Sequence, residues 1–150
     1  MDAPGKPPSL GEPRSRYGPE PLVDVASRPA RERLSPSALR AFVNIMGRWD
    51  VKDQDARELL GGVSNGTLYA IKRREKKILN ADELLRVSYL VGIFKALNIL
   101  YSVALADAWM TRPNTNPVFG GDTPLDYVRK GGIPALQTVR RLLDSRRGGL

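Results

Sequence analysis

The chain has 150 residues, a formal net charge of +8, and neither cysteine nor histidine. Without these two residue types it has no thiol nucleophile, thiolate zinc site, disulfide or imidazole base. The densest positive charge lies in residues 72–77, where Glu75 is the one acidic residue, and such a run favours a polyanionic partner.

The first 33 residues have the composition of a proline-rich leader. Eight of the 12 prolines lie within residues 1–36, and residues 1–21 lack the apolar core of a signal peptide. Residues 1–33 are therefore predicted to be disordered. Together with the missing cysteines, this favours a cytoplasmic protein.

The first predicted helix spans residues 35–49. Ser35 suits the N-cap position, and Pro36 suits the first helical position, where its missing N–H costs nothing. Apolar residues then recur at the period of a helix and are predicted to face the core. They are Leu39, Phe42, Val43, Met46 and Trp49.

A helix-turn-helix layout follows. A short helix is predicted over residues 52–60, a turn at Gly61 and Gly62, and a helix over residues 65–77 capped by Ser64. In such a unit the second helix enters the major groove of DNA, and nearby cations contact phosphates. The candidate DNA-binding residues are Ser64, Asn65, Thr67, Tyr69, Lys72, Arg73, Arg74, Lys76 and Lys77.

Two features limit this prediction. Gly66 and Ala70 carry no donor at positions where a strong sequence reader has long polar side chains, so weak base specificity is expected. The basic run over residues 72–77 is also compatible with an ordinary solvated helix face.

A long apolar helix is predicted next, starting at Asn80 or Asp82 and extending as far as Met110, either straight or bent in the middle. Lys95 interrupts its most apolar stretch, which argues against a membrane span. The helix carries more apolar surface than its small neighbours need, so part of it is predicted to form a homodimer interface. The dimerisation candidates are Leu90, Phe94, Leu97 and Tyr101.

The remaining chain is predicted to be a loop over residues 113–121 and two helices. Thr123 caps the first helix, Gly131 and Gly132 end it, and Pro134 opens the second. With no strand predicted, the fold is all-α: a helix-turn-helix bundle joined by a long helix to a small helical domain. The predicted segments are 1–33, 34–80 and 81–150.

Short motifs in the second half carry a family resemblance. They are Ala108-Trp109-Met110, Pro113-Asn114, Phe119-Gly120-Gly121, Thr123-Pro124-Leu125 and Gly131-Gly132. In this order and spacing they resemble the toxin-binding domain of the Xre/MbcA/ParS antitoxin family. The upstream helices look like the helix-turn-helix of the same family, so the resemblance covers residues from about 34 to 150.

The resemblance implies a function. Such antitoxins dimerise, bind the promoter of their own operon, and block the active-site entrance of RES-domain toxins, which consume NAD. Carried over by motif, the toxin-binding residues are Trp109, Asn114, Phe119, Pro124, Leu125, Arg140, Arg141, Arg146, Arg147 and Leu150.

Structural roles remain open for several of these residues. Trp109 and Phe119 also suit core anchors, and Asn114 suits a cap of the turn after Pro113. The tail over residues 146–150 is either a frayed end or a flexible arm whose guanidiniums occupy a toxin pocket built for a pyrophosphate-containing substrate.

Three functions are alternatives to a toxin-neutralising antitoxin. The chain could be an autonomous transcriptional regulator without a toxin, or a protein-interaction adaptor that no longer binds DNA. An enzyme is disfavoured because no acid and base pair is evident, and no cofactor or metal is predicted. The predicted partners are the toxin, operator DNA and a second copy, with no membrane.

Overall fold

The computed structural model describes residues 27–148. Within this range the regular structure is helical and no strand occurs, which confirms the all-α prediction. The elements are α1 (Arg28–Arg48), α2 (Asp53–Leu59), α3 (Asn65–Lys72), α4 (Ala81–Leu100), α5 (Val103–Trp109), a 3-10 turn (Pro117–Phe119) and α6 (Pro124–Gly148).

The first helix begins earlier than predicted. Its N-cap is Ser27, whose hydroxyl accepts from the amide of Ala30 at 3.3 Å, and Pro29 lies in the first turn. The prediction of disorder was therefore wrong for residues 28–33, because a cap and a first-turn proline stand upstream of the predicted start. The rest of the predicted leader, residues 1–26, lies outside the described residues.

Ser35 is a buried structural residue inside α1 and not the N-cap that was predicted. Its hydroxyl donates to the carbonyl of Arg31 at 2.6 Å and accepts from the amide of Leu79 at 2.8 Å. The helix therefore continues through Pro36, and Ser35 ties it to the segment that leads into α4.

The central helix α4 begins with a capping box. Asn80 accepts from the amide of Glu83 at 2.8 Å, and the Glu83 carboxylate accepts from the amide of Asn80 at 3.0 Å. This confirms Asn80 as the start, but the predicted extension to Met110 was wrong. Tyr101 is extended, and Ser102 caps a separate helix, α5.

The last helix, α6, is bent where two glycines were predicted to separate two helices. Gly132 has φ 66° and ψ −150°, which is not helical, so Pro124–Gly148 is two helical stretches joined at a kink. The predicted N-cap is confirmed, since the hydroxyl of Thr123 accepts from the amide of Asp126 at 3.1 Å.

One continuous core unites all six helices, because α4 packs against both α1 and α6. The largest fully buried side chains are Trp49, Phe42, Phe119, Ile45, Leu59, Leu60, Leu79, Leu90, Ile93, Leu97, Met110 and Leu136. Within residues 27–148, no helix is both long enough and apolar enough to cross a membrane.

Candidate DNA-binding and toxin-binding surfaces

The turn between α2 and α3 is set by glycine and by one side chain. Gly61 and Gly62 have φ of 102° and 90°, a backbone conformation that other residues seldom adopt. The guanidinium of Arg57 donates to the carbonyl of Val63 at 2.9 Å and closes the turn. Ala56 is buried and lets the helices approach closely, which confirms the predicted helix-turn-helix geometry.

The outer face of α3 presents a small set of exposed side chains. Ser64 caps the helix as predicted, accepting from the amide of Thr67 at 3.1 Å, and also donates to the Thr67 hydroxyl. Asn65 is exposed, and Tyr69 is 62% exposed, with the guanidinium of Arg73 lying 5.3 Å from its ring centre. Asn65 and Tyr69 are thus the accessible groups of the predicted recognition helix.

The predicted helical extension to residue 77 was wrong. Helix α3 ends at Lys72, and Arg74 has φ 63°. The amides of Arg74 and Glu75 bond back to the carbonyls of Ile71 and Ala70, the hydrogen-bond pattern of a Schellman stop. Most of the basic run therefore lies after the helix, in a turn and a segment without regular secondary structure.

Local carboxylates already engage part of this basic run. Lys72 pairs with Asp53 of α2, and Lys77 lies 3.5 Å from Glu83. By contrast, Arg74 and Lys76 are exposed and form no ion pair with a carboxylate among residues 27–148. These two cations retain most of the positive potential of the segment.

A groove of about 580 Å³ separates α1 from residues 71–78. Leu39, Val43 and Ile71 are among its apolar lining residues, and Arg40 of α1 lines it together with Arg74, Lys76 and Lys77. Glu32 and Glu75 also line the groove, but its five cations outnumber them, and cations beside an apolar surface suit a sugar–phosphate strand. Arg40 was not among the predicted DNA-binding residues, because the helical period of α1 picks out only its apolar positions.

Several predicted toxin-binding residues belong to the core instead. Phe119, Pro124 and Leu125 are buried in this chain and expose little surface for a partner, so their toxin contact stays a prediction. Trp109 is partly exposed and meets the Phe119 ring edge-on at 6.0 Å, and Phe119 meets Tyr127 at 5.3 Å. This aromatic group holds the loop after α5 against α6.

Asn114 caps the turn after Pro113, the structural role that its sequence position also suits. Its side-chain oxygen accepts from the backbone amide of Asn116 at 2.9 Å. The side-chain oxygen of Asn116 likewise accepts from the backbone amide of Val118 at 3.0 Å. Two successive Asx turns thus shape the loop that leads into the 3-10 turn.

The predicted toxin-binding arginines of α6 differ in how far their side chains are exposed. Arg141 is exposed, whereas the guanidinium of Arg140 lies over Gly92 of α4 and bonds to Asp144 at 2.9 Å. Arg147 also pairs with Asp144, at 3.3 Å, and its side chain is only 8% exposed.

The predicted flexible arm was wrong for the part that the structure describes. Arg146 and Arg147 lie in a helix that runs to Gly148, and Arg146 donates to the hydroxyl of Tyr101 at 3.0 Å. Both guanidiniums are thereby held against the rest of the chain. Leu150 lies outside the described residues.

The predicted dimer contacts are mostly internal. Leu90 and Leu97 are completely buried within one chain, so their contact with a second copy stays a prediction that this packing does not favour. Phe94 packs between Trp49 at 6.3 Å and the guanidinium of Arg48 at 5.3 Å. The buried apolar face of α4 packs against α1 and α6.

Comparison with known proteins decides between the partners that this geometry allows. Residues 27–92 match the Antitoxin Xre-like helix-turn-helix domain, and residues 96–149 match the Antitoxin Xre/MbcA/ParS C-terminal toxin-binding domain. The chain belongs to the Xre/MbcA/ParS antitoxin family. The antitoxin therefore has a DNA-binding domain and a domain for a toxin partner, and both matched domains are binding domains.

The antitoxin also has a relative that aligns over most of both chains. It is 36% identical over 115 residues to "Uncharacterized protein y4oB" of Sinorhizobium fredii (strain NBRC 101917 / NGR234), covering 76% of this chain and 87% of the relative. No solved structure matches the chain.

Proposed function

We propose that this antitoxin neutralises a RES-type, NAD-consuming toxin by covering the entrance to the toxin's active site. We also propose that it binds the promoter of its own operon as a homodimer and represses transcription. The observation that carries the proposal is the presence of both family domains, residues 27–92 and 96–149, in one chain. The choice of a RES toxin follows from the family resemblance of the motifs after Trp109.

The surface chemistry around α3 supports the DNA half of the proposal. Asn65 and Tyr69 are accessible for base contacts in the major groove. Arg40, Arg74 and Lys76 line the neighbouring groove and can follow the phosphates of one strand. Because one α3 offers few base-reading groups, a homodimer that binds two half-sites would supply the missing specificity.

Co-expression with the protein encoded by the adjacent gene tests the toxin half. We expect that protein alone to deplete cellular NAD and stop growth, and co-expressed antitoxin to restore both. NAD depletion that persists despite abundant antitoxin would contradict the proposal. Operator binding without any complex with the neighbouring protein would instead identify an autonomous regulator.

A further inference from the structure

An exposed apolar corner lies where α4 ends and α5 begins. We define it by Ile99, Val103 and Leu105, which are 58%, 62% and 47% exposed. Five large hydrophobic side chains are exposed among the described residues, and these three fall within seven consecutive positions. Single apolar residues are normal on a protein surface, but here Ile99 lies in the last turn of α4, and Val103 and Leu105 lie in the first turn of α5, so three are exposed around one connection.

The chain around this corner carries no charge. Residues 96–106 contain no Asp, Glu, Lys or Arg, whereas 27% of the whole chain is charged. The cores of protein interfaces are depleted in charged residues in the same way. Lys95 lies one turn before Ile99, and Arg146 is held by the Tyr101 hydroxyl, so the corner itself offers apolar side chains, which suit a protein better than a nucleic acid.

The location of the corner favours the toxin over a second copy. All three residues lie within residues 96–149, which match the toxin-binding domain. Helix α5 continues from Val103 to the partly exposed Trp109, so one helix joins the corner to a predicted toxin contact.

The corner also supplies what the buried motif residues cannot. Phe119, Pro124 and Leu125 lack accessible surface, so apolar contacts to a toxin must come from other side chains of the domain. We propose that Ile99, Val103 and Leu105 form the surface on which the toxin docks. The complementary face of the toxin would be apolar and uncharged. This inference rests on the proposed neutralisation of a toxin and names its docking surface.

Calorimetric titration of the full chain with the protein of the adjacent gene tests this surface. We expect Val103→Glu and Leu105→Glu each to weaken the complex about tenfold or more, because a charge would be buried at an apolar contact. Ser37→Glu adds the same charge at an exposed position of α1 and serves as the matched control. The milder Leu105→Gln and thermal unfolding by circular dichroism separate lost binding from lost folding.

The outcomes separate the two proposals. If the wild-type chain binds and both Glu variants bind equally well, the docking surface is wrong and the antitoxin function stands. If the wild-type chain does not bind, the proposed function fails and the docking surface fails with it. If the Glu variants keep full affinity but reduce the mass of the free chain in light scattering, the corner is a contact between copies, which overturns the inference.

Discussion

The guanidinium of Arg129 in α6 donates to the carboxylate of Glu58 in α2 at 3.0 Å. The same guanidinium contacts Asp126 at 3.2 Å and lies 3.5 Å from Asp55. Hydrogen bonds from Glu58 and then Asp126 raise the pKa of Arg129 above its already high ordinary value. The toxin-binding domain is thereby fastened to the first helix of the helix-turn-helix.

Replacing Arg129 by Gln should lower the free energy of unfolding by about 1 kcal/mol, since charged hydrogen bonds are lost at a partly exposed site. A cation whose pKa is raised in the folded state stabilises the fold while it is charged. This stabilisation is lost only as the pH rises through the raised pKa. The difference from wild type should therefore be equal at pH 7 and pH 9 in urea unfolding. Lys130→Gln, at the adjacent and more exposed pair with Asp122, should change little. A deficit that disappears at pH 9 would contradict this assignment.

Ser35→Ala should destabilise the fold by about 1–3 kcal/mol in chemical denaturation. Its buried hydroxyl is the acceptor for the amide of Leu79, which would lose its partner away from water. Ser37→Ala is the matched control, because Ser37 is exposed and bonds only to the carbonyl of Leu34 in its own helix. Equal stability of the two variants would show that the bond between α1 and the segment before α4 contributes nothing.

Gly92→Ala should cost about 1–3 kcal/mol, because an added Cβ would overlap the guanidinium of Arg140 and lie 2.6 Å from its Cζ. The cost should shrink in an Arg140→Ala background, which removes the obstructing group. Gly47→Ala has no neighbour within 4 Å of the added carbon and should be neutral or stabilising. Thermal unfolding of the four variants measures the coupling, and additive effects would disprove the close packing.

Arg74→Gln and Lys76→Gln should each reduce the salt dependence of DNA binding. Each lost phosphate contact lowers the slope of log affinity against log salt by about 1, uniformly across sequences. Fluorescence anisotropy with the operon promoter over a KCl series measures this. Lys95→Gln, at an exposed position of α4, is the control. Slopes identical to wild type would remove both residues from the DNA contact.

Local rules in the sequence predicted the helix ends well wherever a strong cap was present. Ser64, Asn80 and Thr123 all cap helices as expected. The N-cap prediction at Ser35 failed because a serine followed by proline matches the sequence pattern of a helix start in any context. Its bond to Leu79, 44 positions away, depends on tertiary packing that no local pattern contains.

The stop after Lys72 was missed for a related reason. The left-handed position there is occupied by Arg74 and not by glycine, so the residue that usually marks a helix end is absent. The three side chains of the proposed docking surface were not among the predicted site residues, because apolar spacing on α4 and α5 does not distinguish core from surface. Leu97 is buried and Ile99 is exposed within one turn of the same helix.

The most direct test of the antitoxin assignment is NAD turnover by the purified protein of the adjacent gene, titrated with this chain. Our account predicts that turnover falls to background once the antitoxin saturates the toxin, at a fixed stoichiometry. Turnover that continues unchanged in a large excess of folded antitoxin would contradict it.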